Sequence, residues 1–205
     1  MRIRHQLVIM LTLIMALGFI VTKADTAFAA SSCTTPTYLH ISEDAEINSK
    51  DPFVHYTTSV YAEIGREDTY GRTYRFLVKP DISGLSKKAR ITSATLHLAQ
   101  VSTTWDQDGL YNLHSATQPW SAGDITWASQ PTITSGYVKG TQGGNEVTFD
   151  VLTWMKAARW QKIGSRGFLI KKPTETGDNN GLFAPNEYGS GGTYNLPYIE
   201  VCLKK

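Results

Sequence analysis

Residues 73–101 read TYRFLVKPDISGLSKKARITSATLHLAQV. Phe76 and Val78 fall on one face of an extended chain, and Arg75, Leu77 and Lys79 on the other. Farther on, Ala94, Leu96 and Leu98 share a face, opposite Thr95, His97 and Ala99. A period of two is what a half-buried β-strand demands, because successive side chains point to opposite sides of a sheet. The stretch therefore predicts two amphipathic strands around a turn at Pro80–Gly84. If both lie in one sheet, Arg75, Lys79 and His97 form a positive patch over a dry interior. The plainer reading is a solvated strand face.

The same alternation recurs outward from this pair. Thr37–Ile41 and Ala45–Ile47 predict strand material broken at Ser42–Asp44, and Val60–Ile64, Leu110–His114, Gly167–Lys171, Phe183–Asn186 and Tyr198–Leu203 predict further strands. QPWSAGDITWASQP (118–131) predicts a structured loop with a small strand at Ile125–Trp127. Only Leu152–Lys162 has helical spacing, with Asp150 placed to cap its start and Gly164 and Gly167 to end it. Many short strands with frequent turn signals and one short helix predict an all-β fold, an antiparallel, jelly-roll-like β-sandwich.

The amino terminus reads differently. Arg2 and Arg4 precede an apolar run from Leu7 to Val21, and Ala27-Phe28-Ala29 has the small-x-small form of a cleavage site. Residues 1–29 are expected to be a secretory signal peptide, and 30–205 a single domain. The apolar run is shorter than the roughly 20 residues of a membrane span, so none is expected. Without residues 1–29, 20 basic and 18 acidic residues become 17 and 17. A formally neutral chain argues against wholesale nucleic-acid binding, which draws on a basic excess. Cys33 and Cys202, at opposite ends of the exported chain, suggest a disulfide joining its first and last strands; the alternative is two buried thiols.

Catalytic signatures are sparse. His40, His55, His97 and His114 stand at no ligand spacing for zinc. Asp106-Gln107-Asp108-Gly109 has the look of an opening calcium loop, yet the closing Glu is missing. No cofactor is expected; a structural calcium ion at Asp106 and Asp108 is the alternative to solvated turn carboxylates. No GxSxG, phosphate loop or nucleophilic cysteine context occurs, and Asp124, Asp150 and Glu187 are not paired by spacing as a glycosidase would need. A lyase trio of Arg75, Lys79 and His97 is the only enzymatic arrangement on offer. Sugar binding asks for less: exposed rings stack on apolar CH faces, and Arg or Lys pairs with uronate carboxylates. Tyr70, Trp105 and Tyr188, in loops, are the candidate platforms. Trp154 reads as helix core and Trp127 as a buried anchor.

Several of these pieces fall in a known order. YRFLVKPDISGL with ARITSATLHL resembles the YR-x-L-x-x-FDLS-x-L and I-x-SA-x-L-x-L run of DNRLRE (disaggregatase-related) domains, grouped with carbohydrate-binding module family 96. QPWSAGDITWASQP is similar to the family's W-x-E-x-x-VTW-x-x-QP signature, VTFDVLTWMKAARWQ to its FDVT-x-x-V-x-x-W segment, RGFLIKK to the strand after it, and APNEYGSGGTYNLPYIEV to its closing piece. Pro80–Ser83 replaces Phe-Asp-Leu-Ser, Ala122-Gly123 replaces the Glu after Trp120, and the cysteine pair lies outside the pattern. The resemblance implies a jelly-roll-like sandwich, secreted or at the cell surface, that binds polysaccharides, acidic ones such as alginate among them. By position Arg75, Lys79 and Lys171 match basic strand positions of the family. The expectation is a secreted, monomeric, non-catalytic module for uronate-containing glycans. In it Arg75, Lys79, His97 and Lys171 pair with carboxylates while Tyr70, Trp105 and Tyr188 stack on rings. A structural protein of the envelope or matrix is the runner-up, and a small lyase or hydrolase the third reading.

Overall fold

The computed structural model describes residues 36–56, 59–86, 88–161, 166–188 and 195–204. The expected leader and Cys33 lie outside these residues. Among the described residues eleven strands and one helix follow in order: β1 (Pro36–Asn48), β2 (Ala62–Glu67), β3 (Arg72–Pro80), β4 (Arg90–Ser102), β5 (Asn112–Ser115), β6 (Val138–Lys139), β7 (Thr141–Gly143), β8 (Glu146–Asp150), α1 (Leu152–Gln161), β9 (Phe168–Lys171), β10 (Asn179–Phe183) and β11 (Tyr198–Lys204). All their pairings are antiparallel.

One layer runs β1–β11–β4–β8–β7, and the other β1–β3–β9–β5–β6, with β2 and β10 closing one side. β1 belongs to both. Its first half pairs with β11, and from Ile41 it pairs with β3, changing layers at a bulge between Ile41 and Glu43. The interruption expected at Ser42–Asp44 is thus a bulge inside one long strand, since an extra residue bends a strand without ending it. β10 joins the layers at the other side by pairing with both β2 and the end of β4.

The alternation of the opening stretch orients both strands. Phe76 and Val78 of β3 meet Ala94, Leu96 and Leu98 of β4 across the main core, with Ile64, Leu113, Phe149, Phe168, Phe183 and Ile199. Each such side chain, fully withdrawn from water, stabilises the fold by about 2 kcal/mol before entropy. β3 and β4 therefore lie in opposite layers. Helix α1 starts where expected: Leu152 N donates to Asp150 Oδ1 at 2.9 Å, and Val151, Met155 and Ala158 are buried.

Two local expectations are corrected. Ile125–Trp127 forms turns rather than a strand, and the strand expected at Phe183–Asn186 lies earlier, at Asn179–Phe183. Asn179 and Asn180 have low strand propensity. Their side chains are satisfied by Asp108 and Glu63, a compensation only the tertiary structure supplies. Gly65 explains how β10 approaches β2. At φ 133° it bears no Cβ, and one there would lie 2.0 Å from the Asn179 carbonyl oxygen.

Candidate functional site

The expected basic patch is not assembled. Arg75 and Lys79 point from β3 to the outside of one layer, while His97 points from β4 to the outside of the other. The shared-sheet premise fails because β3 takes β1 and β9 as neighbours, and β4 takes β11 and β8. His97 stacks on Tyr198 at 4.5 Å between ring centroids, with Nδ1 3.1 Å from Glu146 Oε1.

Arg75 and Lys79 are occupied by a second layer of packing. Residues 116–133 fold over the outer face of β1, β3 and β9, where Ala45, Ile47, Leu77 and Leu169 meet Ala116, Trp120 and Ile125 in a smaller apolar cluster. Arg75 grips Glu175 in a two-pronged pair at 2.8 and 2.7 Å, donates to Gln130 at 2.6 Å, and lies 4.4 Å from the centre of the Trp127 ring. Lys79 Nζ donates to Glu43 at 2.6 Å and to the Trp120 carbonyl at 2.5 Å, over the Trp120 ring. The two cations fasten the tryptophan loop. Trp120 is buried beneath it, and Trp127 only half so.

Lys171 has a different setting. Asn112 of β5 lies opposite Lys171 on β9 and Lys139 on β6. Their neighbours Leu113, Val138 and Ile170 face the core, so Asn112 and both lysines point away from it, with Asn112 buried, Lys171 half-buried and Lys139 exposed. Among the described residues neither lysine joins an ion pair.

Asp106 and Asp108 already hold a cation. Lys172, 0% exposed, donates to Asp106 Oδ1 at 2.5 Å and to Asp108 Oδ1 at 2.8 Å, with its ammonium 4.0 Å from the Tyr111 ring centre. Gln100 at 2.7 Å and the Tyr111 hydroxyl at 2.5 Å donate to the other Asp106 oxygen. Burial pushes the Asp106 carboxyl up, but the bonds from Lys172, Tyr111 and Gln100 outweigh it and hold the group below its ordinary range. A calcium ion at these two carboxylates would have to displace a buried ammonium. Among the described residues no group of three or more His, Cys, Asp or Glu is placed to hold a metal ion.

That clamp presents Trp105. The loop before β5 is tied to β10 by Asn180 N to the Trp105 carbonyl at 3.2 Å, Gln107 N to Asn179 Oδ1 at 3.2 Å, and Asn179 Nδ2 to Asp108 Oδ2 at 2.7 Å. Its indole stays 54% exposed. It borders a groove of about 310 Å³ with Tyr61, Glu63, Glu67, Thr69, Asp178, Asn180 and Leu182. Tyr61 is 41% exposed and its ring lies 5.7 Å from that of Tyr188. Tyr70, 58% exposed, follows the lining residue Thr69 in the chain and carries the Arg72 guanidinium 5.2 Å from its ring centre. Of the three aromatic candidates Trp105 lines the groove, whereas Tyr70 and Tyr188 only neighbour its lining residues Thr69 and Tyr61, and none of the four basic candidates lines it.

Sequence reasoning missed Tyr61, Glu63, Glu67 and Asn180. Tyr61 and Glu63 alternate visibly on a strand, but nothing in that strand names β10 as its neighbour. One oxygen of each acid is anchored. Glu63 Oε2 accepts from Asn180 at 2.6 Å, Glu67 Oε2 from the Tyr74 hydroxyl at 3.2 Å, and Asp178 Oδ1 from Asp68 N at 2.5 Å. Burial, then the charge of Glu67, hold Glu63 above the ordinary carboxylate range despite the Asn180 bond.

A second, more apolar cleft of about 590 Å³ runs beside α1, walled by Leu113, Tyr137, Val138, Trp154, Ala157 and Phe168. Trp154, expected in the helix core, is half-buried there against Phe168 at 4.4 Å.

An antiparallel β-sandwich with a solvent-open groove edged by aromatic rings has the form of a carbohydrate-binding module. The comparison of families agrees: the profile of carbohydrate-binding module family 96 matches residues 35–196, and the chain belongs to that family. No curated protein matches the chain. Among the described residues no helix is long and apolar enough to cross a membrane.

Proposed function

We propose that this chain is an exported, non-catalytic polysaccharide-binding module whose sugar site is the Tyr61–Trp105 groove. The observation that carries the reading is the exposed Trp105 indole, held over a groove of fixed hydrogen-bonding groups by a loop tied to β10. Sugar rings lay their CH faces on such a platform while carboxylate and amide groups take the hydroxyls. Trp105→Ala is expected to lower glycan affinity at least about tenfold, with thermal stability unchanged, because half-exposed indoles contribute more to contacts than to the core. Titration against a panel of oligosaccharides measures it. Full retention in Trp105→Ala removes the groove from consideration. New reducing ends or unsaturated uronate absorbance would favour an enzyme, and envelope association without glycan retention a structural protein.

A separate affinity for acidic glycans, outside the groove, is supported by one feature, the pair Lys139 and Lys171 flanking Asn112. Uronate carboxylates would pair with these ammonium groups outside the groove, in a salt-sensitive manner.

Export rests on the leader-like composition of residues 1–29, and a Cys33–Cys202 disulfide accords with it. Cys202 on β11 pairs opposite Pro36, three residues after Cys33 in the chain, and no free cysteine occurs among the described residues. Reduction is expected to lower the unfolding free energy by about 3 kcal/mol, since the bond closes nearly the whole exported chain into one loop. Denaturant unfolding with and without reductant measures this, and two freely titrating thiols in the native protein would contradict the bond.

A further inference from the structure

We propose that the Tyr61–Trp105 groove selects glycans whose sugars carry free ammonium groups, such as de-N-acetylated hexosamines, over uronates. The inference rests on the reading that this groove is the sugar site. Among the described residues its lining includes Glu63, Glu67 and Asp178 but no lysine, arginine or histidine. Arg66 pairs with Asp68 at 2.7 Å, and Arg72 stacks on Tyr70 and reaches the Tyr74 hydroxyl at 3.5 Å, from where it offsets part of the charge of Glu63 and Glu67.

Each lining acid is oriented by one anchored oxygen, whereas Glu63 Oε1, Glu67 Oε1 and Asp178 Oδ2 have no hydrogen-bond or ion-pair partner among the described residues. The groove thus presents pre-oriented acceptors whose negative charge is only partly offset, by Arg72 behind Glu63 and Glu67. Ammonium groups supply donors and the opposite charge together, and charge-assisted bonds are the stronger kind. The Trp105 face adds cation–π attraction. A uronate carboxylate would bring like charge beside three carboxylates and offer no donor in return.

The test titrates the exported chain with three hexasaccharides: glucosamine, N-acetylglucosamine and a uronate. The amine form is expected to bind about tenfold tighter than the acetylated one, with salt narrowing the gap. Asp178→Asn and Glu67→Gln are each expected to reduce that ratio several-fold. Glu200→Gln, on β11 in the other layer, should leave it unchanged and serves as the control for non-specific attraction. Equal affinity for amine and acetylated forms, tighter uronate binding that Trp105→Ala removes and Lys139→Ala with Lys171→Ala does not, or a ratio lost equally in Glu200→Gln overturns the inference. If Trp105→Ala abolishes binding of the acetylated hexamer but no amine preference exists, only the ligand class fails. If Trp105→Ala changes no affinity, the groove reading itself falls.

Discussion

Lys172→Met is expected to lower the unfolding free energy by about 3 kcal/mol, the cost of leaving the buried Asp106 carboxylate, beside the more exposed Asp108, without its counter-charge. Methionine preserves most of the side-chain volume against Tyr111, so the loss is chiefly electrostatic. Asp106 is 1% exposed in its side chain, and it and Asp108 would face each other with no ammonium between them. Denaturant unfolding reads the loss as a lower midpoint at unchanged slope. The triple variant Lys172→Met, Asp106→Asn, Asp108→Asn should recover much of it, because neutral amides remove the orphaned charge. The single variant should also weaken glycan binding, since the clamp fixes the loop that presents Trp105. A variant with wild-type stability would show the ion pair to be inert.

Glu46→Gln is expected to act in the opposite sense and to depend on pH. Burial, followed by the charge of Glu63, pushes the Glu46 carboxyl up to about 8 although Glu63 N donates to it at 2.7 Å. Between the unfolded value near 4.5 and about 8 the native state keeps a proton that the unfolded chain has released. Stability therefore falls as pH rises through that window. Asp44, raised by burial and by Glu187 to about 7, adds a loss of the same sign. Glutamine retains the acceptor and removes the ionisation. The variant should gain about 2 kcal/mol at pH 8 and almost nothing at pH 5, measured as the difference in unfolding free energy between the two. Below pH 4 the trend reverses, because Asp106, Asp108 and Glu43 have depressed values and lose their ionic bonds as they protonate. A wild-type stability that rises from pH 5 to pH 8 would contradict the burial of Glu46 as an acid.

Alternation along single strands was legible in the chain. It correctly separates Phe76 and Val78 from Arg75 and Lys79, and it marks Ala94, Leu96 and Leu98 as core, because a strand's own geometry decides which residues share a face. The helix was legible for the same reason, as its capping Asp150 and its buried Val151, Met155 and Ala158 are local in sequence.

What lies beyond the strand was not. Period two says which way Arg75 and His97 point from their own backbones, but not which strand lies beside each. Pairing put β3 and β4 in opposite layers and divided the expected patch between two outer faces. Nor does alternation tell whether an outer face is open. The loop 116–133 covers the face of Arg75 and Lys79, so two residues with the composition of a ligand site became fasteners for tryptophans. Lys172, one position past β9, reads as a surface lysine until Asp106 and Asp108 arrive from a loop more than 60 positions away.

The order of motifs by itself determined the sandwich and the family. The groove, which draws Tyr61 from just before β2, Glu63 from β2, Trp105 from a loop and Asn180 from β10, was decided by long-range strand pairing. Faces are set by local stereochemistry, whereas neighbours are chosen by the burial and hydrogen bonding of the whole chain.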